Sequence, residues 1–156
     1  MENISIKPGY DNFPAIRALF DEYTQTPGVI GTCYKSYEAE RGNLPGDFAQ
    51  PDGRLYLAYV GDELAGCIGM RRFDAQRCEM KRLFVCKAFR GQNISELLVQ
   101  RILDDAHAEG YRTMVLSTMA MMKTAHELYR RMGFKEIPSA EPDCRENVLY
   151  FERGLE

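Results

Sequence analysis

The sequence has no apolar run long enough to cross a bilayer and no cysteine spacing of a redox or zinc motif. A membrane-spanning helix needs about 20 apolar residues, and the apolar runs in this chain stop after a handful. The five cysteines form no Cys-x-x-Cys pair, and their odd number is typical of a reducing compartment. With two histidines, His107 and His126, a zinc site is not expected. A catalytic Cys–His pair stays open, although nothing marks one cysteine as activated.

The charge balance and the first residues also exclude several classes of protein. Twenty Lys and Arg against 23 Asp and Glu give a net charge of −3, which argues against a dedicated nucleic-acid binder. Met1 is followed by Glu2 and Asn3, without the basic and apolar segments of a secretory signal. We therefore expect a cytoplasmic protein that binds neither nucleic acid nor membrane. A length of 156 residues suits a single domain over residues 1–156.

The charges are unevenly distributed along the chain. From Arg71 to Arg101 there are eight basic and three acidic residues, a net charge of +5, so the rest of the chain carries −8. A basic centre in an acidic chain suggests a small polyanionic ligand. An ordinary charged face in solvent is the alternative interpretation.

Hydrophobic periodicity predicts helices and strands in the first half of the chain. They are a strand at Asn3–Lys7, a helix capped by Asp11 or Asn12 and ended by Thr26–Gly28, a short helix from Ser36 to Gly42, and strands at Leu55–Val60 and Leu64–Met70 joined by a tight hairpin.

The second half predicts a βαβ unit and three further elements. They are a strand at Cys78–Val85, a helix with Ile94, Leu98, Ile102 and Ala106 on one stripe that ends at Gly110, a strand at Thr113–Thr118, a helix at Met121–Met132, and strands at Phe134–Ile137 and Asn147–Glu152. The strands of a βαβ unit run parallel, whereas hairpin strands are antiparallel. The sequence therefore predicts one α+β domain with a central mixed, mostly antiparallel twisted sheet flanked by helices.

The segment from Arg90 to Ser95 lies between the strand and the helix of the βαβ unit. Backbone N–H groups at a helix N-terminus are unpaired and the helix dipole is positive there, so anions bind well. Arg90 adds a positive charge, and Gly91 lets a ligand approach the backbone. The absence of Gly-x-Gly-x-x-Gly and Gly-Lys-Ser/Thr disfavours a dinucleotide fold and a nucleotide triphosphatase. Taken alone, the segment is better interpreted as an ordinary loop with a helix cap.

Together with its neighbours, this segment resembles the GNAT superfamily of acyl-CoA-dependent N-acyltransferases. Arg90–Ser95 resembles the Arg/Gln-x-x-Gly-x-Gly/Ala acyl-CoA loop of that family, Cys78–Val85 the strand before it, and Tyr129–Phe134 a second signature. Asn93 and Ser95 depart from the pattern, which has glycine, and glycine or alanine, at these positions. Because Asn tolerates positive φ, we expect Asn93 to keep a left-handed conformation.

The resemblance implies transfer of an acetyl group from acetyl-CoA to the amine of a small molecule or peptide, without a metal. It implies that the pantetheine lies between splayed strands Cys78–Val85 and Thr113–Thr118. The residues it assigns to the coenzyme are Leu83, Phe84, Val85, Arg90, Gly91, Gln92, Asn93, Ile94, Ser95 and Thr118. A non-catalytic acyl-CoA-binding module and an ordinary interaction domain are the competing functions, and a homodimer is left open.

Two candidate catalytic residues also come from the resemblance. Glu79 stands where some family members carry a catalytic glutamate, and we expect it to accept the amine proton through a water. A surface glutamate paired with Lys81 or Arg77 is the alternative. Tyr129 is the candidate proton donor to the leaving thiolate, and a packed core tyrosine is its alternative.

The acceptor side is the least defined part of the sequence. The resemblance assigns it to residues Asp11–Asp52 and Ser139–Tyr150. Glu38, Glu40 and Asp47 in that region are expected to attract a cationic amine, or else to form only a polar surface. Residues 138–145 are expected to form a loop over the site.

Overall fold

The computed structural model describes residues 3–25, 34–138 and 148–155. The elements are β1 (Ile4–Pro8), α1 (Phe13–Thr24), α2 (Tyr34–Gly42), β2 (Arg54–Val60), β3 (Glu63–Arg72), β4 (Arg77–Val85), α3 (Ile94–Ala108), β5 (Thr113–Met119), α4 (Lys123–Arg131), β6 (Lys135–Ile137) and β7 (Val148–Gly154). No helix in these ranges is long and apolar enough to span a membrane.

The strands form one sheet in the order β1-β2-β3-β4-β5-β7-β6. β4 and β5 run parallel, and the other neighbouring strands run antiparallel. A parallel pair needs a long crossover, which α3 supplies. The predicted α+β fold with a mixed, mostly antiparallel sheet is therefore confirmed.

Helices cover both faces of the sheet and create two cores. On one face, α3 buries Ile94 and Leu98 in a cluster that also contains Tyr129 of α4. On the other face, α1 buries Ile16 and Phe20. Burying a large aliphatic side chain of this kind contributes about 1.5–3 kcal/mol to stability. The sheet is thus held from both sides, and a ligand can reach its middle only where two strands separate.

Such a separation occurs between β4 and β5. Their last paired residues are Glu79 and Val115. Beyond that pair, β4 continues to Val85 and β5 to Met119, and the described residues of the two strands pair no further. We call the resulting space the β4–β5 gap; Glu79 lies at its closed end.

β4 also carries a bulge beside this gap. Its register with β3 passes from Gly69 opposite Lys81 to Cys67 opposite Phe84, so β4 has one extra residue. Arg82 lies in that interval with a φ of 61°. A left-handed conformation costs an L-residue about 1–2 kcal/mol, so the surrounding contacts must offset this strain. Bulges bend a strand and change the direction of its groups.

Several helix and strand boundaries in the structure differ from the predicted ones. Asn12 rather than Asp11 caps α1, because its Oδ1 accepts a hydrogen bond from the Ala15 N–H at 3.3 Å. α4 begins at Lys123 instead of Met121, since Met122 has φ −84° and ψ 65°, outside the helical region. A short 3₁₀ turn, Gly46–Phe48, follows α2 where only a loop was predicted. Residues 26–28 and 147, the predicted ends of two elements, lie outside the described ranges.

Candidate active site

The gap-facing edge of β4 presents the backbone of Leu83 and Val85. The Cys86 N–H donates to the Ala65 carbonyl of β3 at 2.7 Å. Successive residues of a strand turn their backbone groups to opposite sides, so Val85 faces the gap, and so does Leu83 two residues earlier. In agreement, Arg90 Nε donates to the Val85 carbonyl from outside the sheet at 3.0 Å. An extended ligand can therefore pair with this edge as an added strand does.

The loop between β4 and α3 has the predicted backbone shape. Asn93 has φ 63° and ψ 20°, which confirms the left-handed conformation expected of it. Gly91 has φ 85°, and a side-chain carbon there would meet nothing within 4 Å beyond its chain neighbours. Backbone conformation, rather than lack of space, is therefore the reason for glycine at this position.

α3 begins with unpaired backbone donors. The first hydrogen bond of the helix runs from the Leu97 N–H to the Asn93 carbonyl at 3.2 Å. The N–H groups of Ile94, Ser95 and Glu96 therefore have no partner within the helix, and the Asn93 side chain makes no capping hydrogen bond. Together with the helix dipole, these donors suit a diphosphate. The residues present thus fit the coenzyme that the sequence implies.

The other residues assigned to the coenzyme have different surroundings. The Arg90 guanidinium lies 5.8 Å from the centre of the Phe84 ring, and that ring is buried in the core beneath α1. Gln92 is exposed in the loop. Thr118 is buried on β5, where its hydroxyl lies 3.9 Å from Met122 Sδ. Coenzyme contacts of these side chains stay predictions.

Glu79 is buried at the closed end of the gap, with 8% of its side chain exposed. The Nε and Nη2 atoms of Arg71 both lie 2.7 Å from Glu79 Oε1. Arg77 instead pairs with Asp74, and the carboxylate nearest to Lys81 is that of Glu40. The alternative of a surface glutamate paired with Lys81 or Arg77 is therefore wrong, and the catalytic role of Glu79 stays a prediction.

Tyr129 is a buried residue of α4. Its ring centre lies 5.9 Å from those of Phe134 and Phe151. Only 6% of its surface is exposed. Burial raises the pKa of Tyr129, with a smaller contribution from Tyr23 on the opposite face of the sheet. Tyr129 is therefore a protonated donor at neutral pH.

The sequence reasoning missed the contacts around Arg82. Its Nε donates to Glu40 Oε2 on α2 at 2.9 Å. Its guanidinium also lies 5.3–5.9 Å from the ring centres of Phe20, Tyr23 and Tyr37. Glu40 is therefore paired with Arg82 rather than free to attract a cationic amine, as was expected of it. Arg82 and Glu40 are 42 residues apart, so no local signal links them.

Four arginines of the basic centre are paired with acids, and two of those acids, Asp52 and Glu40, come from other segments. Arg72 pairs with Asp52 at 3.1 Å and Arg77 with Asp74 at 2.7 Å, in addition to the pairs of Arg71 and Arg82. Arg90 in the loop donates through Nε to the Val85 carbonyl and forms no ion pair with the described residues.

Cysteine and metal chemistry find no support in the described ranges. Burial raises the pKa of Cys67, Cys78 and Cys86, the opposite of an activated thiolate. His126 Nε2 is hydrogen-bonded to the Met119 carbonyl oxygen at 3.0 Å. No group of three or more potential metal ligands occurs among these residues.

Comparison with known proteins places this geometry in a family. The model of the acetyltransferase (GNAT) family matches residues 13–134. The chain is 35% identical over 140 residues to an IAA acetyltransferase of Azospirillum brasilense, covering 87% of each chain.

Solved structures share the fold at lower identity. A GNAT-family acetyltransferase from Staphylococcus aureus matches with a TM-score of 0.83 at 20% identity, over 99% of this chain and 100% of that chain. The PaiA N-acetyltransferase from Thermoplasma acidophilum, solved in complex with coenzyme A, matches with a TM-score of 0.77 at 15% identity, over 97% and 99% of the two chains. These likenesses show the fold alone. With the family model and the relative above 30% identity, they lead to one conclusion: this chain belongs to the GNAT acetyltransferase family and is an acyltransferase.

Proposed function

We propose that this protein transfers the acetyl group of acetyl-CoA to the amine of a small molecule or a peptide. Membership of the acetyltransferase family supports the reaction class. The observation that carries the proposal is the β4–β5 gap, which opens beyond Glu79 and has the backbone edge of Leu83 and Val85 on one side. The unpaired donors at the start of α3 lie directly after that edge in the chain.

Coenzyme binding in this proposal uses the backbone more than side chains. Leu83 and Val85 pair with the pantetheine amides in the manner of β-augmentation. The N–H groups from Gly91 to Ser95 hold the diphosphate, and Arg90 adds a positive charge beside it. Acetyl-CoA supplies an acyl group activated as a thioester.

The Leu83 N–H is the proposed donor to the thioester carbonyl oxygen. Negative charge develops on that oxygen as the amine attacks the carbonyl carbon. A preorganised donor of this kind is typically worth about 3 kcal/mol of transition-state stabilisation. The neighbouring Arg82 bulge, with its φ of 61°, orients this stretch of β4 toward the gap.

Glu79 is the proposed general base. An ordinary ammonium has a pKa near about 10, so almost all of the acceptor is protonated at neutral pH. Glu79 lies at the closed end of the gap, and Arg71 holds its Oε1 in place at 2.7 Å. In the balanced reaction the amine nitrogen bonds to the acyl carbon, the carbon–sulfur bond breaks, and the amine proton passes through a water to Glu79.

Tyr129 is the proposed hydrogen-bond donor to the leaving sulfur. A reference phenol has a pKa of about 10 and a thiol about 8.5, so full proton transfer is uphill by about 2 kcal/mol. Burial raises the pKa of Tyr129 and enlarges that difference. Tyr129 therefore stabilises the departing thiolate by a hydrogen bond, and solvent completes its protonation.

One observation favours a second candidate function, a non-catalytic acyl-CoA-binding module. Asn93 and Ser95 stand where the acyl-CoA loop pattern has glycine, and glycine or alanine, so each adds side-chain atoms at the helix start. The left-handed conformation of Asn93 argues for the enzyme, because it keeps the backbone shape of glycine.

An amine panel separates these functions. Purified protein is mixed with acetyl-CoA and amino acids, polyamines or peptides, and released thiol is measured. We expect thiol release with at least one class. Coenzyme binding without release from any amine would support the binding module, and absence of binding at saturating coenzyme would contradict both functions.

A further inference from the structure

Charged side chains line the α2 side of the β4–β5 gap. Glu79 and Lys81 point to this side, because strand residues alternate and Met80 between them lies in the opposite core. Two nearby arginines each contact a carboxylate: Arg71 contacts Glu79 at 2.7 Å, and Arg82 contacts Glu40 of α2 at 2.9 Å. Both carboxylates of the cluster are therefore already engaged by guanidinium groups.

Lys81 has no comparable partner among the residues that the structure describes. The nearest carboxylate oxygen, Glu40 Oε1, lies 4.0 Å from Lys81 Nζ, too far for a hydrogen bond. The other oxygen of Glu40 is taken by Arg82. The Lys81 side chain is 28% exposed, and burial lowers its pKa. An anion that reached this partly desolvated ammonium would gain a charge-assisted hydrogen bond.

Lys81 also lies at a suitable distance from the proposed chemistry. A regular strand rises about 3.3 Å per residue and the bulge at Arg82 shortens β4 here, so Lys81 lies within about 7 Å of Leu83, the proposed donor to the thioester carbonyl. The Lys81 side chain leaves β4 on the α2 side, the side that Glu79 also faces. An anion on Lys81 can therefore belong to the same small molecule as the attacking amine.

We propose that Lys81 binds a carboxylate of the acceptor, and that the acceptor is an amino acid or a similar amine with a carboxylate a few bonds from its nitrogen. This inference rests on the proposed function. Glu79 and Lys81, on one face of one strand, present a negative and a positive group to the two ends of a zwitterion. A polyamine instead brings a second positive charge toward Lys81 and is a poor acceptor.

The test compares acceptors that differ only in the carboxylate. L-Alanine, L-methionine and L-phenylalanine are each paired with the corresponding C-terminal amide, and thiol release gives kcat/KM. We expect the acids to be preferred by at least about tenfold, as a charge-assisted hydrogen bond implies. The carboxylate favours the protonated amine, so intrinsic reactivity works against this preference.

Variants assign the preference to Lys81. In Lys81→Gln we expect the acid-to-amide ratio to fall to near unity, through a higher KM for the acids. Lys81→Arg should keep most of the preference, because it keeps the charge. Lys7→Gln on β1 removes the same charge from an exposed position far along the sheet and should leave the ratio unchanged.

Two results would overturn the proposal while the proposed function stands. One is a wild-type enzyme that acetylates the amides or spermidine as well as the acids. The other is a folded Lys81→Gln protein with an unchanged ratio. If Lys81→Gln does not fold, the acid-to-amide ratio of kcat/KM in the wild-type enzyme alone tests the proposal. The proposed function itself would be contradicted by a different result. In that result the protein binds acetyl-CoA but releases no thiol from it with any acid, amide or peptide or with spermidine.

Discussion

At the scale of single residues, the hydroxyl of Tyr129 gives the first prediction. Tyr129→Phe should lower kcat by about 100-fold, because it removes a donor to the leaving group, while acetyl-CoA affinity changes little. Steady-state kinetics and calorimetric titration measure the two effects. Tyr111→Phe is the matched control: it removes a hydroxyl that donates to the Asp52 carbonyl at 2.7 Å, and it should cost about 1 kcal/mol of stability with kcat unchanged. Wild-type kcat in Tyr129→Phe would remove Tyr129 from the mechanism.

Local backbone conformation could be predicted from the sequence better than side-chain partners. Asn93 has the left-handed conformation that asparagine tolerates, and Asn12, one of the two predicted caps, caps α1. Glu79 was identified as a candidate, but its partner Arg71 was missed. Arg71 stands opposite Glu79 in the β3–β4 hairpin, so the number of residues between each of them and the turn was the signal available for this pair.

The carboxylate of Glu79 gives the second prediction. Glu79→Gln should reduce kcat/KM by about 100-fold, most strongly below neutral pH, where the free amine is scarcest and a general base matters most. The pH profiles of variant and wild type measure this. Asp74→Asn, which breaks the exposed pair with Arg77, should leave the profile unaltered. Parallel profiles for Glu79→Gln and wild type would leave Glu79 as a structural residue.

At the scale of elements, the order and type of helices and strands could be predicted, and the bulge in β4 could not. Periodicity reports which face of a strand is buried, whereas the bulge depends on contacts of Arg82 with Glu40 and three aromatic rings. These contacts join β4 to α1 and α2, which are distant in the chain. The start of α4 was missed for a related reason, because Met122 has good helix propensity but a non-helical backbone.

The positive φ of Arg82 gives the third prediction. Arg82→Gly should be more stable than Arg82→Ala by about 1 kcal/mol, because glycine adopts this conformation without strain. Urea denaturation gives both free energies of unfolding. Arg101 within α3 provides the control. In this helix the free energy of unfolding of Arg101→Ala should exceed that of Arg101→Gly by about 1 kcal/mol. If the alanine variant were the more stable one at both positions, the left-handed conformation of Arg82 would be contradicted.

At the scale of the whole molecule, the fold could be predicted and the acceptor could not. The succession of a hairpin, a βαβ unit and two closing strands allows few sheet topologies, and the observed order is one of them. The proposed acceptor site combines groups from β3, β4 and α2, which meet only after folding, as Lys81 and Glu40 do. Of the loop expected over the site, residues 138–145, all but the first residue lie outside the described ranges.

Coenzyme binding to the folded chain gives the fourth prediction. A ligand at 100 times its Kd stabilises the native state by about 2.7 kcal/mol, which for a chain of this size raises Tm by about 5–10 °C. Thermal unfolding with and without acetyl-CoA measures the shift. Adenosine alone, which lacks the pantetheine and the diphosphate, is the control and should give little stabilisation. Equal shifts with both ligands would mean that the gap contributes nothing to binding.

The most direct test of the account is a crystal structure of the protein with coenzyme A. We predict pantetheine in the β4–β5 gap, with its amides bonded to the backbone of Leu83 and Val85, and the diphosphate on the N–H groups from Gly91 to Ser95. Coenzyme bound elsewhere, or a helix start blocked by the Asn93 side chain, would contradict it.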